Sequence, residues 1–361
     1  MMKFKQEILI TLTVFLLFIL SHCDRVNTFQ NTRLLKASTF GILQDVQSAL
    51  TNGADIDTRE DNTGATPLWT ASAEGYTEVV KLLLDKGAEV DARTSDEITP
   101  LWMASQEGHT EVVKLLLDHG ADVEAKNRAA GITALFIASH KGHKKIVKLL
   151  LDHGVDIEVK QYKTGITPLW IASQNGHTEI VKLLLDHGAH IEVKELKGEV
   201  TPLWMASQNG HLDIVKLLLD KDAKVDVTRK EINVTPLMIA SLHGHSEIVK
   251  LLLDHGADVK VKDKVDGMTA LFIASHEGHE KIVKLLLDHG ADIEVKQCKT
   301  GITPLWTASQ NGHTEAVKLL LHKGAKVNVK DKRNGETALM KAGQKGHQKI
   351  VNLLIENGAK D

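Results

Sequence analysis

Nineteen histidines stand out as the chemistry-bearing side chains of this 361-residue chain. Imidazole can ligate zinc, move protons or activate a nucleophile, so their spacing comes first. Eight follow a glycine: His109, His143, His177, His211, His245, His279, His313 and His347. Five precede the late glycine of a repeat: His119, His153, His187, His255 and His289. Such regularity spreads equivalent rings along the chain instead of gathering them, and it argues for a structural role. The pairs His140/His143 and His276/His279 have a spacing that two zinc ligands could use, but a zinc site needs a third or fourth. In His276-Glu277-Gly278-His279 the histidines lie three apart, whereas the zinc-protease pattern places them four apart. No metal site and no cofactor are expected.

Other chemistry is equally thin. There is no phosphate-cradling loop, nucleophile elbow or catalytic dyad, so the chain reads as a non-enzyme. Ser72, Ser105, Ser139, Ser173, Ser207, Ser241, Ser275 and Ser309 recur at one position, which small size for close packing explains. Lys and Arg number 44 against 47 Asp and Glu, a net charge of −3. That balance gives nucleic acid no reason to bind. With only Cys23 and Cys298 there is no disulfide framework, and stability must come from packing.

The elements that would hold these side chains repeat. Thr66, Thr99, Thr133, Thr167, Thr201, Thr235, Thr269, Thr303 and Thr337 mark one register, spaced 33 residues once and 34 seven times. Thr32, Ala37, Gly41, Val46 and Gly53 mark a degenerate earlier copy. A period of this size signals a stacked array. Within residues 99–132, Thr99 predicts a helix N-cap and Pro100 its first position. Gly108 predicts the stop. A second helix begins near Thr110, and Leu115-Leu116-Leu117 predict that it is buried on more than one side, as a middle element would be. Gly120 ends it. Asp122–Lys126 alternates like an extended hairpin arm and leads to a loop at residues 127–131.

Thr-Pro-Leu, Ala-Ser, Gly-His, Val-Val-Lys-Leu-Leu-Leu and Gly-Ala-Asp-Val, in that order and spacing, resemble the ankyrin repeat. The resemblance covers all but about the first 28 residues. It implies an all-α repeat solenoid of stacked helix-turn-helix units with β-hairpin or loop fingers, binding proteins through fingertips and the concave helix face. Two departures matter. After Thr-Pro-Leu the family has His, whereas here stand Trp69, Trp102, Phe136, Trp170, Trp204, Met238, Phe272, Trp306 and Met340. The bonds of that His must be lost or replaced, and an apolar ladder between repeats is expected, with a carbohydrate- or ring-stacking surface as the alternative. Most units also carry one extra residue in the finger loop; the unit leading to Thr99 does not. Residues 131–170 and 267–306 are nearly identical at an offset of four repeats, which suggests growth by block duplication.

The expected organisation is a signal at residues 1–23, a linker at 24–30, and about ten repeats at 31–361 with the first and last as caps. Lys3 and Lys5 precede Ile8–Leu20, which is apolar except for two threonines and short for a bilayer span. Leu20-Ser21-His22-Cys23 resembles a lipobox with Cys23 as lipidation candidate; simple cleavage and an uncleaved anchor are the alternatives. Partner-binding candidates are Gln106, Glu107, Gln174, Asn175, Gln208, Asn209, Gln310 and Asn311 on the helix face, and Lys160, Tyr162, Lys163, Lys296 and Lys299 at the tips. The expected protein is an exported, monomeric interaction scaffold, a membrane-anchored lipoprotein or a secreted or periplasmic protein. It would bind a protein partner and touch membrane only through its N-terminal signal or lipid. The alternatives are an effector acting on host-cell proteins and a ligand- or metal-binding protein.

Overall fold

The computed structural model describes residues 27–360. The signal and Cys23 lie outside the described residues. The chain divides between Tyr162 and Lys163 into two compact units. In the first, α1 comprises residues 27–39, followed by α2 (Leu43–Thr51), α3 (Pro67–Glu74), α4 (Thr77–Asp85), α5 (Pro100–Glu107), α6 (Thr110–Asp118), α7 (Ala134–Lys141) and α8 (Lys144–Asp152). The second holds α9 (Pro168–Asn175), α10 (Thr178–Asp186), α11 (Pro202–Asn209), α12 (Leu212–Asp220), α13 (Pro236–Leu242) and α14 (Ser246–Asp254). It continues with α15 (Ala270–Glu277), α16 (Glu280–Asp288), α17 (Pro304–Asn311), α18 (Thr314–His322), α19 (Ala338–Gln344) and α20 (Gln348–Glu356).

The boundaries follow from local chemistry. Thr99 Oγ1 accepts the Trp102 amide at 3.2 Å and Pro100 occupies the first helical position, where a missing N–H costs nothing. The cap recurs at most threonines, although Thr133 makes no such bond. Gly108 leaves α5 in the left-handed region at φ 87°.

The tandem leucines are read differently by the structure. Helix α6 keeps a solvent face of Glu111, Lys114 and Asp118, with Leu115 half-buried at its edge and Leu116 and Leu117 inside. The enclosed middle element is instead the first helix of each repeat. In α11 every residue from Pro202 to Ser207 is buried. First helices pack on first helices of the flanking repeats more closely than second helices do on theirs. The small Ala206 and Ser207, both fully buried, permit that approach. Leu218, also fully buried, contributes about 2 kcal/mol by leaving water.

The finger arms form no strand among the described residues. Each finger is a turn: Asn127 N donates to Ile132 O and Gly131 N to Asn127 O. One backbone bond joins each finger to the preceding one, as from Tyr162 N to Ala130 O at 2.9 Å. The alternation at Asp122–Lys126 is too short to pair as a hairpin and serves to bury Ala125 instead. The extra residue widens this turn. The shorter finger closes from Thr94 N to Ile98 O with Glu97 at φ 61°.

Asp222 occupies a left-handed position, φ 64°, that is glycine in the flanking repeats (Gly188 and Gly256). A side chain there is strained. Asp222→Gly is expected to stabilise the second unit by about 1 kcal/mol, read as a higher urea midpoint at unchanged slope. An unchanged or lower midpoint would show that the strain is relieved some other way.

Candidate protein-interaction groove

Three ladders join consecutive repeats, and they determine which polar groups remain for a partner. The first is imidazole. His109 Nε2 donates to Ala73 O at 2.9 Å and His143 Nε2 to Gln106 O at 3.0 Å. In the second unit His211, His245, His279, His313 and His347 donate to Gln174 O, Gln208 O, Leu242 O, His276 O and Gln310 O. The acceptors lie in the last turn of the preceding repeat's first helix, where carbonyls lack an intrahelical partner. Since a carbonyl only accepts, each ring must carry its proton on Nε2. The second histidine set caps its own helix, as His119 Nδ1 does toward Leu115 O at 2.8 Å. Among the described residues no three His, Cys, Asp or Glu side chains converge as metal ligands.

The second ladder is acidic. Asp57, Asp91 and Glu124 accept the amides of Glu89, Asp122 and Asp156 in the following repeat. Glu192, Asp226, Glu294 and Asn328 do the same for Lys224, Asp258, Lys326 and Lys360. Burial pushes the Asp91 and Asp226 carboxyls above the ordinary carboxylate value, and the amide each accepts pulls back. Lys260 stands at the equivalent position of its own repeat and cannot accept. Lys260→Glu is therefore expected to add a rung to the Asp292 amide, worth about 1 kcal/mol. A urea midpoint equal to or below the wild type's would refute the rung.

The third ladder corrects the apolar reading of the tryptophans. Trp170 Nε1 donates to Val200 O at 2.9 Å, Trp204 Nε1 to Val234 O at 2.9 Å, and Trp306 Nε1 to Glu336 O at 3.1 Å. The family histidine's inter-repeat bond is thus replaced in these three repeats. Trp69 and Trp102 have buried indole nitrogens without a partner.

What remains open lies in the angle between first helices and fingers. In the second unit Trp170, Gln174, Glu195, Trp204, Gln208 and Arg229, with Met205 and Val200 behind, line a groove of about 380 Å³. Trp170/Gln174 and Trp204/Gln208 share a helix face at i,i+4. In the first unit Trp69, Thr70, Asn31, Leu35 and Arg59 are among the residues around a larger groove of about 570 Å³.

The sequence candidates divide accordingly. Gln174 and Gln208 enter the groove; Gln106 and Gln310 are half-buried at equivalent positions, and Glu107 and Asn175 are exposed beside them. Asn209 and Asn311 are spent in part, their amides donating to Gln174 O and His276 O at 2.8 Å. At the tips Lys160, Lys163 and Lys296 are exposed, whereas Lys299 is held 2.9 Å from Asp266. Tyr162 is 61% exposed and lays its ring over Gly131 of the preceding finger. Part of the fingertip charge is internal. Lys230 and Lys194 both reach Glu199, whose carboxyl is held below its ordinary value by the Lys230 hydrogen bond, which in turn raises the Lys230 ammonium. In the last repeat Lys345, Gln348, Lys349 and Asn352 are exposed. Lys341 is half-buried and bonded to Glu336 and Gln344. Glu195, Met205 and Arg229 were not among the sequence candidates; Met205 is Trp204's neighbour in α11, whereas Glu195 and Arg229 reach the groove from the finger turns.

Paired helices, projecting turns and inter-repeat ladders define a repeat scaffold with an open groove between first helices and fingers. The family model described as "Ankyrin repeats (3 copies)" matches residues 11–94, 34–127, 86–161, 125–195, 159–231, 195–263, 226–297 and 294–361. The chain belongs to the ankyrin repeat family. It is similar to Ankyrin repeat and KH domain-containing protein mask-1 of Caenorhabditis elegans, 39% identical over 79 residues, 22% of this chain and 3% of that protein. It is also similar to Ankyrin repeat and KH domain-containing protein 1 of Homo sapiens, 41% identical over 68 residues, 19% of this chain and 3% of that protein. The chain thus spans about 3% of the length of the curated relatives it matches. The crystal structure of the human ASB11 ankyrin repeat domain aligns at a TM-score of 0.56 and 30% identity, covering 63% of this chain and 99% of that one.

Proposed function

We propose that the chain is a non-enzymatic scaffold that receives an extended segment of a partner protein in the groove between first helices and fingers. The observation that carries this reading is the pair of Trp–Gln steps of the second unit, bounded by Glu195 and Arg229. The buried Trp170 and Trp204 rings form the apolar floor of the groove, and the half-buried glutamine amides offer donors and acceptors to a partner backbone. The N-terminal charge and apolar pattern support export, with the array held at a membrane by Cys23 lipidation or an uncleaved anchor. No helix among the described residues is long and apolar enough to cross a membrane.

A crosslinking pull-down from the native compartment tests the groove. The triple variant Gln174→Ala, Gln208→Ala, Arg229→Ala is expected to weaken capture of the wild-type partner about tenfold or more. Lys216→Ala, on the exposed side of α12, should capture normally. Equal capture by both variants would rule the groove out.

A further inference from the structure

The first helix pair exposes four apolar side chains, Phe29, Phe40, Ile42 and Leu43. Phe40 is 68% exposed and stands at the position held by Glu74, Glu107 and Lys141 in the same unit and by Asn175, Asn209 and Asn311 in the other. A further repeat stacked in front would not ask for phenylalanine there, because this position stays polar throughout the array. Phe29 is 65% exposed, eleven residues earlier. Eleven residues at 100° each return to the same helix face, and the two rings are about 16 Å apart along it. Between them on that face lie Arg33, bonded to Asp45 at 2.6 Å, and the exposed Lys36. Ile42 and Leu43, 46% and 37% exposed, continue the apolar surface past the Gly41 turn.

Aromatic rings and long cations sharing one face are the pattern of a helix lying in a bilayer interface. The sequence places the apolar run Ile8–Leu20 and Cys23 just before it. Six residues from Cys23 to Phe29 reach at most about 20 Å. We propose that α1 lies flat on an anionic lipid surface, with Phe29, Phe40, Ile42 and Leu43 in the headgroup–acyl boundary and Lys36 at the phosphates. This rests on the membrane-tether reading above and adds an orientation: the first unit meets the bilayer through its first repeat. The apolar segment is the anchor, and the helix is a seat that stops the array from pivoting on its tether.

The uncleaved chain, in a Cys23→Ser, Cys298→Ser background, would carry the fluorophore NBD at Ile42→Cys or, as a control, at Tyr162→Cys. Each is bound to vesicles of phosphatidylethanolamine and phosphatidylglycerol and exposed to dithionite. Reduction at position 42 is expected to be about fivefold slower than at 162 or more, and the difference should vanish in Phe29→Ser, Phe40→Ser. Equal rates at 42 and 162 on chain that floats with the vesicles would overturn the seat and leave the tether standing. A chain that does not float would overturn the seat and the uncleaved-anchor form of the tether.

Discussion

Trp204→Ala is expected to destabilise the second unit by about 3–5 kcal/mol, the usual cost of deleting a buried aromatic side chain. The ring is 4% exposed, within the enclosed first helix of its repeat, and its indole N–H reaches Val234 O in the next repeat. Deletion removes apolar burial and leaves that contact unmade at once. In a stacked array the loss falls on one repeat and its neighbours, so hydrogen exchange should rise most at α11 and α13. Two phenylalanine variants separate the components. Trp204→Phe keeps most of the area but loses the bond, and should cost about 1 kcal/mol beyond the packing change. Trp69→Phe removes an indole nitrogen that is buried without a partner, so it should be neutral or stabilising by up to about 1 kcal/mol. Equal costs for both phenylalanine variants would mean that the tryptophans act through area alone, as a purely apolar ladder would.

Gly210→Ala should cost about 3 kcal/mol, from two sources that can be told apart. At φ 81° a side chain pays about 1–2 kcal/mol for the left-handed conformation. The new Cβ would also sit 2.7 Å from His245 Cε1, so the ring must move and release Gln208 O, a loss of about 1 kcal/mol more. In a His245→Ala background the steric part disappears, and Gly210→Ala should cost only the conformational part. A double-mutant cycle by urea denaturation is therefore expected to give a coupling of about 1 kcal/mol or more. An identical cost in both backgrounds would show that ring and glycine do not interlock.

Two of the side chains that line the groove are legible in the sequence as candidates. Gln174 and Gln208 were singled out because they end a first helix on its polar side, and they line the groove. Asn209 and Asn311 were singled out by the same reasoning, yet their amides turn back to the preceding repeat. The difference is one residue of helical phase, about 100°, which a list of polar positions does not resolve. Arg229 escaped because its approach to Trp204 depends on the finger turn, not on sequence distance.

The sequence by itself determined the period, the helix boundaries and the family. Those signals are local: a threonine hydroxyl reaches an amide three residues on, and a glycine permits its own φ. Only the tertiary structure decided what the histidines, acidic arms and tryptophans do. The partners of the ladder-forming side chains lie about a repeat away, as His245 and Gln208 O do at a separation of 37 residues. Those partners are backbone amides or carbonyls, which nearly every residue possesses. A side chain can be read from a sequence; a carbonyl left open at the end of a helix in the neighbouring repeat becomes visible only when the repeats are stacked.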